Sequence, residues 1–172
     1  MGNHNKNVIV IGGLGYIGQH LVQKLINLNF NIIVADNNPS TNSSNNLING
    51  NVHFYKVDIT KSNEINELIN FSITNFRSID ALVNLSYPRG KNYGKDLFNV
   101  TYEDFCETVN LHLGGYFLVM QEFSKFFIKQ GHGNIINTSS IYGVIAPKFE
   151  IYNDTSMTMP VEYAAIKSSI IH

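Results

Sequence analysis

Residues 7–11, Asn-Val-Ile-Val-Ile, run directly into Gly12, Gly13, Gly15 and Gly18, and apolar residues at three- and four-residue spacing follow. A short β-branched run with no helical period reads as a strand buried on both faces, the kind that sits inside a parallel sheet. Ile17, Leu21, Leu25 and Leu28 then give residues 16–29 one apolar helix face. Strand, glycine turn and helix, in that order, suggest a parallel sheet, and the alternation of strands and helices along the chain argues for βαβ units.

The alternation continues. Residues 31–35 and 52–57 read as second and third strands, 64–76 as a helix and 81–85 as a fourth strand. Thr101 and Asp104 form a helix start signal, and Phe105, Val109, Leu113, Phe117 and Met120 carry one long helix to about Lys129. The Gly114-Gly115 pair inside it predicts close packing against a neighbour. Ile135 and Ile136 mark a fifth strand ending at Ser139 and Ser140, and a further helix opens at Val161. Residues 37–49 and 144–160 read as loops. The expectation is an α/β fold, a Rossmann-type doubly wound parallel sheet of five strands in the order 3-2-1-4-5. With 172 residues the chain fits a single dinucleotide-binding domain over 1–172. The last helix meets no Gly, Asn or Pro stop signal before His172, so the domain reads as incomplete, its C-terminal strands missing and its fifth strand an exposed edge.

Composition narrows the function classes. A net charge of −1 provides no field that would draw nucleic acid or an anionic membrane. No apolar run approaches the roughly 18 residues of a membrane span, and the N-terminus lacks the apolar core of a signal peptide. The single cysteine, Cys106, is read as packing and fits a reducing, cytoplasmic setting. His20, His53, His112 and His132 show no metal-ligand spacing and are taken as structural or surface residues.

Gly12, Gly15 and Gly18 stand where a dinucleotide site needs them. The turn must be tight, the backbone must approach a pyrophosphate, and the helix N-terminus at Tyr16 and Ile17 must offer unpaired N–H groups. Asp36 ends the second strand, where a carboxylate accepts both hydroxyls of an adenosine ribose. That favours NAD. The 2′-phosphate of NADP would be repelled by about 4 kcal/mol per unit charge at roughly 4 Å and an effective dielectric near 20, and Asn37 and Asn38 supply no cation to offset it. NADP is the minority reading. A helix-packing turn with incidental glycines, and an Asx cap at Asp36, are the structural alternatives.

Tyr163 and Lys167, four residues apart in a predicted helix, share one face. Half-ionising a tyrosine at pH 7 needs about 3 units, or ~4 kcal/mol, of help, and a neighbouring ammonium and an oxidised nicotinamide can supply it. The pair follows Ser139-Ser140 at the carboxyl end of a strand, the rim where open α/β sheets bind ligands.

In this order, residues 12–18, Asp36, 57–60, 82–84, 110–117, 133–143 and 163–167 resemble the short-chain dehydrogenase/reductase family, over essentially the whole chain. The resemblance implies that Ser140 orients a substrate hydroxyl or carbonyl and that Tyr163 exchanges its proton. Lys167 would hold the nicotinamide ribose and lower the tyrosine pKa, and Asn110 would support a water relay to Lys167. Asp58 and Ile59 would flank the adenine, and Asn84 would close the cofactor floor. Ser139 stays open as an alternative to Ser140.

The glycine spacing and the long interval from Ser140 to Tyr163 resemble the branch of sugar-nucleotide epimerases and dehydratases, whereas residues 110–117 and 133–143 resemble the compact oxidoreductase branch. Residues 82–88 keep only the first Asn of the family's Asn-Asn-Ala-Gly. Residues 86–94, 146–152 and 157–160 resemble oxidoreductases of bacterial surface-polysaccharide or flagellin-sugar pathways, including legionaminic acid formation. On that resemblance Arg89 and Lys91 are placed to contact a phosphate or acidic sugar. The leading expectation is an NAD-dependent oxidoreductase acting on a secondary alcohol or ketone of a sugar-like small molecule, a homo-oligomer when full length. The alternatives are an epimerase or dehydratase with tightly held NAD, or an inactive NAD-binding fragment.

Overall fold

The computed structural model describes residues 5–37, 51–155 and 157–172; the predicted loop beyond Asn37, with Asn38, lies outside the described residues. The chain divides into two compact units, residues 1–86 with 118–137, and residues 87–117 with 138–172.

In the first unit, β1 (Asn7–Ile11), β2 (Asn31–Asp36), β3 (Val52–Lys56), β4 (Ala81–Asn84) and β5 (Asn134–Asn137) form one sheet in the order β3-β2-β1-β4-β5. Every pairing is parallel. The expected fold and strand order are what the chain adopts. β1 lies at the centre with all five residues buried. Val8 and Val10 join Ile32 and Val34 beneath Val22, Leu21 and Leu25 of α1 (Tyr16–Asn27). Ile9 and Ile11 point to the other face, as strand alternation requires, and are equally enclosed. Burial on both faces is what demands helices on both faces. Ile65, Leu68 and Ile69 of α2 (Ser62–Phe76) are buried in the same unit. The polar member of β1, Asn7, is satisfied: its Nδ2 donates to the Ser78 carbonyl at 3.0 Å and its Oδ1 accepts from Asn31 at 2.7 Å.

The register brings the strands to a common end. Ile11 is level with Ala35 and with Asn84, and Asn84 with Asn137. Gly12, Asp36 and Leu85 therefore emerge at one rim.

In the second unit, α3 (Tyr102–Val109) starts as expected, Thr101 accepting the Asp104 N–H at 3.1 Å. The chain does not continue as one regular helix. A π-helical turn, Asn110–Gly114, joins α3 to α4 (Gly115–Gln130), of which residues 118–130 belong to the first unit. A Cβ on Gly114 would meet only Asn110 Oδ1, at an ordinary 3.5 Å, so close packing does not explain that glycine; it ends the irregular turn. The loop before α3 is anchored by Asp104, which accepts from Lys95 at 2.6 Å and Asn92 at 2.7 Å. These bonds hold its carboxyl down to about 2. The last helix, α5, spans Val161–Ile171.

On the far side of β5 no strand pairs among the described residues, and Ile136 is 47 % exposed. A charge there blunts an open edge. We expect Ile136→Lys to raise the soluble fraction of the expressed chain and to leave unfolding within about 0.5 kcal/mol of wild type. Unchanged or greater aggregation, read by light scattering on heating, would remove β5 as the source of association.

Candidate active site

The first unit shapes a turn that only glycine can make. Gly12 leaves β1 with φ +74°, and a Cβ there would lie 2.7 Å from the backbone of Leu85 and Ser86. Its N–H donates to the Ala35 carbonyl at 2.8 Å. Gly18, one turn into α1, sits so close that its Cβ would fall 2.3 Å from the Gly12 carbonyl oxygen. The helix thus begins directly on the turn. Gly15 is its N-cap and contributes no side-chain hydrogen bond, so the first N–H groups of α1 point outward unspent by any cap. Tyr16 and Ile17 carry their side chains into solvent, 84 % and 64 % exposed. Asp36 Oδ2 accepts the Leu14 N–H at 3.2 Å, which ties the second strand's carboxylate to the glycine turn. Backbone donors and an acid stand together at this turn.

Other members of the expected cofactor set make local bonds or lie buried. Asp58 closes its own loop: Oδ1 accepts from the Thr60 N–H at 3.0 Å and hydroxyl at 2.7 Å, and Lys61 stands 3.5 Å away. Burial pushes this carboxyl up, but the Thr60 bonds and Lys61 together hold it below its ordinary value. Ile59 is buried at 5 % exposure. Asn84 is wholly buried at the end of β4 and accepts the Ser86 N–H at 3.2 Å and hydroxyl at 2.6 Å.

The second unit holds the Tyr163, Lys167 and serine candidates. Tyr163 and Lys167 occupy successive turns of α5, and Lys167 Nζ lies 5.7 Å from the Tyr163 ring centre. Lys167 is 3 % exposed. Its Nζ donates to the Thr138 carbonyl at 2.8 Å and faces the rings of Tyr116 at 5.3 Å and Tyr87 at 5.8 Å. Among the described residues no carboxylate pairs with it, and burial lowers it from 10.5 to about 8. The two serines divide their work. Ser139 donates its hydroxyl to the Lys167 carbonyl at 2.6 Å, whereas Ser140 Oγ accepts the Tyr142 N–H at 3.2 Å, which leaves the Ser140 O–H as the one available to a ligand. The turn after Ser140 presses on α5: a Cβ on Gly143 would lie 2.7 Å from the Lys167 carbonyl oxygen.

Asn110 caps the C-terminal end of α3. Its side chain is exposed, on the first residue of the π-helical turn. His112, read as structural from the sequence, is instead buried with Nε2 at 3.5 Å from Lys167 Nζ. Burial, then the Lys167 charge, pushes the imidazole down to about 3. Tyr87 was also missed: its ring meets those of Tyr163 and His112 edge-on at 5.8 and 5.2 Å, and its hydroxyl bonds to that of Tyr93. Arg89 lies over the Tyr87 ring at 5.4 Å. Glu162, beside Tyr163 in sequence, is wholly buried with neither carboxylate oxygen hydrogen-bonded among the described residues. Nothing in the local sequence pattern signalled it.

A family model described as short chain dehydrogenase matches residues 6–155. The chain is 42 % identical over 174 aligned residues to the post-translational flagellin modification protein A of Campylobacter coli, covering 98 % of this chain and 68 % of that protein. A short chain dehydrogenase from Leptospira borgpetersenii with bound NAD+ superposes with TM-score 0.80 at 28 % identity, over 98 % of this chain and 63 % of that one. ElxO with NADP bound gives TM-score 0.78 at 24 % identity over 98 % and 64 % of the two chains, a likeness of fold. The chain spans about two thirds of the length of these proteins.

Two measurements test the geometry. Gly18→Ala drives a methyl into the Gly12 carbonyl, so we expect a loss of more than about 2 kcal/mol in denaturant unfolding; a near-neutral result would mean that α1 does not rest on the turn. For Lys167 the sign runs against the charge. Its folded-state pKa is depressed, so the cost of burying the ammonium is complete below about pH 8 and vanishes as pH rises to 10.5. Lys167→Met should therefore be more stable than wild type at neutral pH, and its advantage should shrink between about pH 8 and pH 10.5. A difference that stays constant with pH would deny the buried charge.

Proposed function

The chain belongs to the short-chain dehydrogenase family, and on that premise we propose that it is a nicotinamide-dependent oxidoreductase, NAD-preferring, acting on a secondary alcohol or ketone of a sugar-like small molecule. The observation that carries this reading is the buried Lys167 ammonium held 5.7 Å from the ring of Tyr163.

The residues fit a dinucleotide. A cradle that any Cβ at Gly12 or Gly18 would fill, and a helix start with no side-chain cap, suit a pyrophosphate. The backbone of Gly12, Gly15, Tyr16, Ile17 and Gly18 would hold it, and Asp36 would accept the adenosine ribose hydroxyls. Asn84 would close the floor, with Ile59 and the Asp58 loop beside the adenine. Held there, a nicotinamide would supply the acceptor and donor of hydride for the substrate carbon. Tyr163 takes the substrate hydroxyl proton in oxidation and restores it in reduction. Lys167 stabilises the phenolate by its charge, and the Ser140 O–H donates to the substrate oxygen. A sugar-like substrate is supported by the flagellin-modification relative and by Arg89 on the Tyr87 ring, a cation suited to a phosphate or carboxylate.

Calorimetry and turnover test the proposal together. NAD+ should bind at least tenfold more tightly than NADP+, and Asp36→Asn should weaken NAD+ by about tenfold, the loss of a charged hydrogen-bond acceptor. Tyr163→Phe should cut turnover about 100- to 10,000-fold and leave NAD+ affinity unchanged. Equal affinity for the two dinucleotides would overturn the cofactor preference; a fully active Tyr163→Phe would overturn the mechanism.

A further inference from the structure

Lys167 spends one N–H on the Thr138 carbonyl. The next polar atom it faces is His112 Nε2, at 3.5 Å, the long end of the hydrogen-bond range. His112 is 1 % exposed on the π-helical turn, and its ring lies 5.2 Å from each of Tyr87, edge-on, and Tyr116, tilted. An imidazole so enclosed cannot swing away. Facing an ammonium, it must turn a lone pair toward it, which puts the ring proton on Nδ1. Asn110 stands two residues earlier in the same turn and is exposed.

We propose that His112 is the positioning residue of this site: its neutral imidazole accepts a hydrogen bond from Lys167 Nζ and, with the Thr138 carbonyl, leaves the third N–H of the ammonium aimed at a ligand. Its purpose rests on the dehydrogenase reading; its geometry does not.

The other titratable or charged groups around the pair are Tyr87, Tyr93 and Arg89 from the loop before α3, Tyr116 from α4, and Tyr163 and Glu162 from α5. Burial pushes the Tyr87 and Tyr93 hydroxyls up, away from neutrality. His112, pushed down to about 3, stays an acceptor across the range in which Lys167 titrates. Removing an acceptor from a charged donor disfavours the charged form. Loss of the ring nitrogen should therefore lower the Lys167 pKa.

Histidine ring and lysine side-chain NMR on the isotopically labelled full chain tests this directly. His112 should hold one neutral tautomer, Nδ1 protonated, from about pH 5 to about pH 8, and Lys167→Met should move its Nε2 resonance. In His112→Phe the Lys167 midpoint should fall by half a unit or more, about threefold in proton affinity, and in His112→Gln it should stay near wild type. In turnover, His112→Phe should lower kcat by about tenfold with KM little changed, and His112→Gln should recover most of it. A His112 that titrates in the ordinary imidazole range, carries its proton on Nε2 or ignores Lys167→Met overturns the proposal. Should His112→Phe fail to fold, the wild-type tautomer and the Lys167→Met and His112→Gln spectra still decide. An intact NMR signature in a chain that binds no nicotinamide dinucleotide would defeat the dehydrogenase reading and leave the positioning role standing; normal turnover without the signature would do the reverse.

Discussion

Everything in the first unit follows from the burial of β1 on both faces. A strand with no exposed side can leave the sheet only at its end, and its crossover helix must fold straight back to cover the valines it has just laid down. That return brings α1 so near the turn that Gly18 has no room for a methyl beside the Gly12 carbonyl. The same closeness leaves the helix start without a capping side chain. Unspent backbone N–H groups are thus a by-product of packing before they are a binding site. The Asp36 bond to Leu14 extends the logic, because the neighbouring strand ends at the same level and its carboxylate can brace the turn.

The second unit inverts the usual rule for buried charge. Lys167 has no carboxylate partner among the described residues and is held by a carbonyl, an imidazole lone pair and the faces of three tyrosines. Aromatic faces and neutral acceptors stabilise an ammonium without neutralising it. Burial wins the balance, and its proton affinity falls to about 8. An apolar side chain of similar length would pack there at less cost, which is the usual mark of a group kept for chemistry rather than for stability.

What could be read from sequence was what depends on local spacing. The contact of Gly18 with Gly12 was legible because the two are six residues apart in sequence, and Tyr163 with Lys167 because four residues in an α-helix return to one face, whereas the clash that a Cβ on Gly12 would make with Leu85 and Ser86 was not. The surroundings of Asn110 and His112 were not legible, for a physical reason. Residues two apart on a helix point to opposite sides, and a π-helical turn shifts the register of everything across it, so a periodic reading through 110–114 cannot decide which side faces α5. Asp58 was legible as an acid at a strand end, but the Thr two residues on was the sign that its carboxylate closes a local turn. Glu162 left no trace, because burial of a carboxylate is settled by tertiary packing alone.

Ser139 and Ser140 spend their hydroxyls differently. A hydroxyl has one proton to donate, and Ser139 gives its own to the carbonyl of Lys167. That bond ties the segment after β5 to the main chain of the very residue whose side chain reaches back to the Thr138 carbonyl, so residues 138–139 and Lys167 are joined at both backbone and side chain. Gly143 lets the following turn press against the same point of α5. Ser140 is held between these two fixed contacts, with its backbone determined and its proton unspent. Ser139 and Gly143, committed on either side, thereby fix where the Ser140 hydroxyl stands.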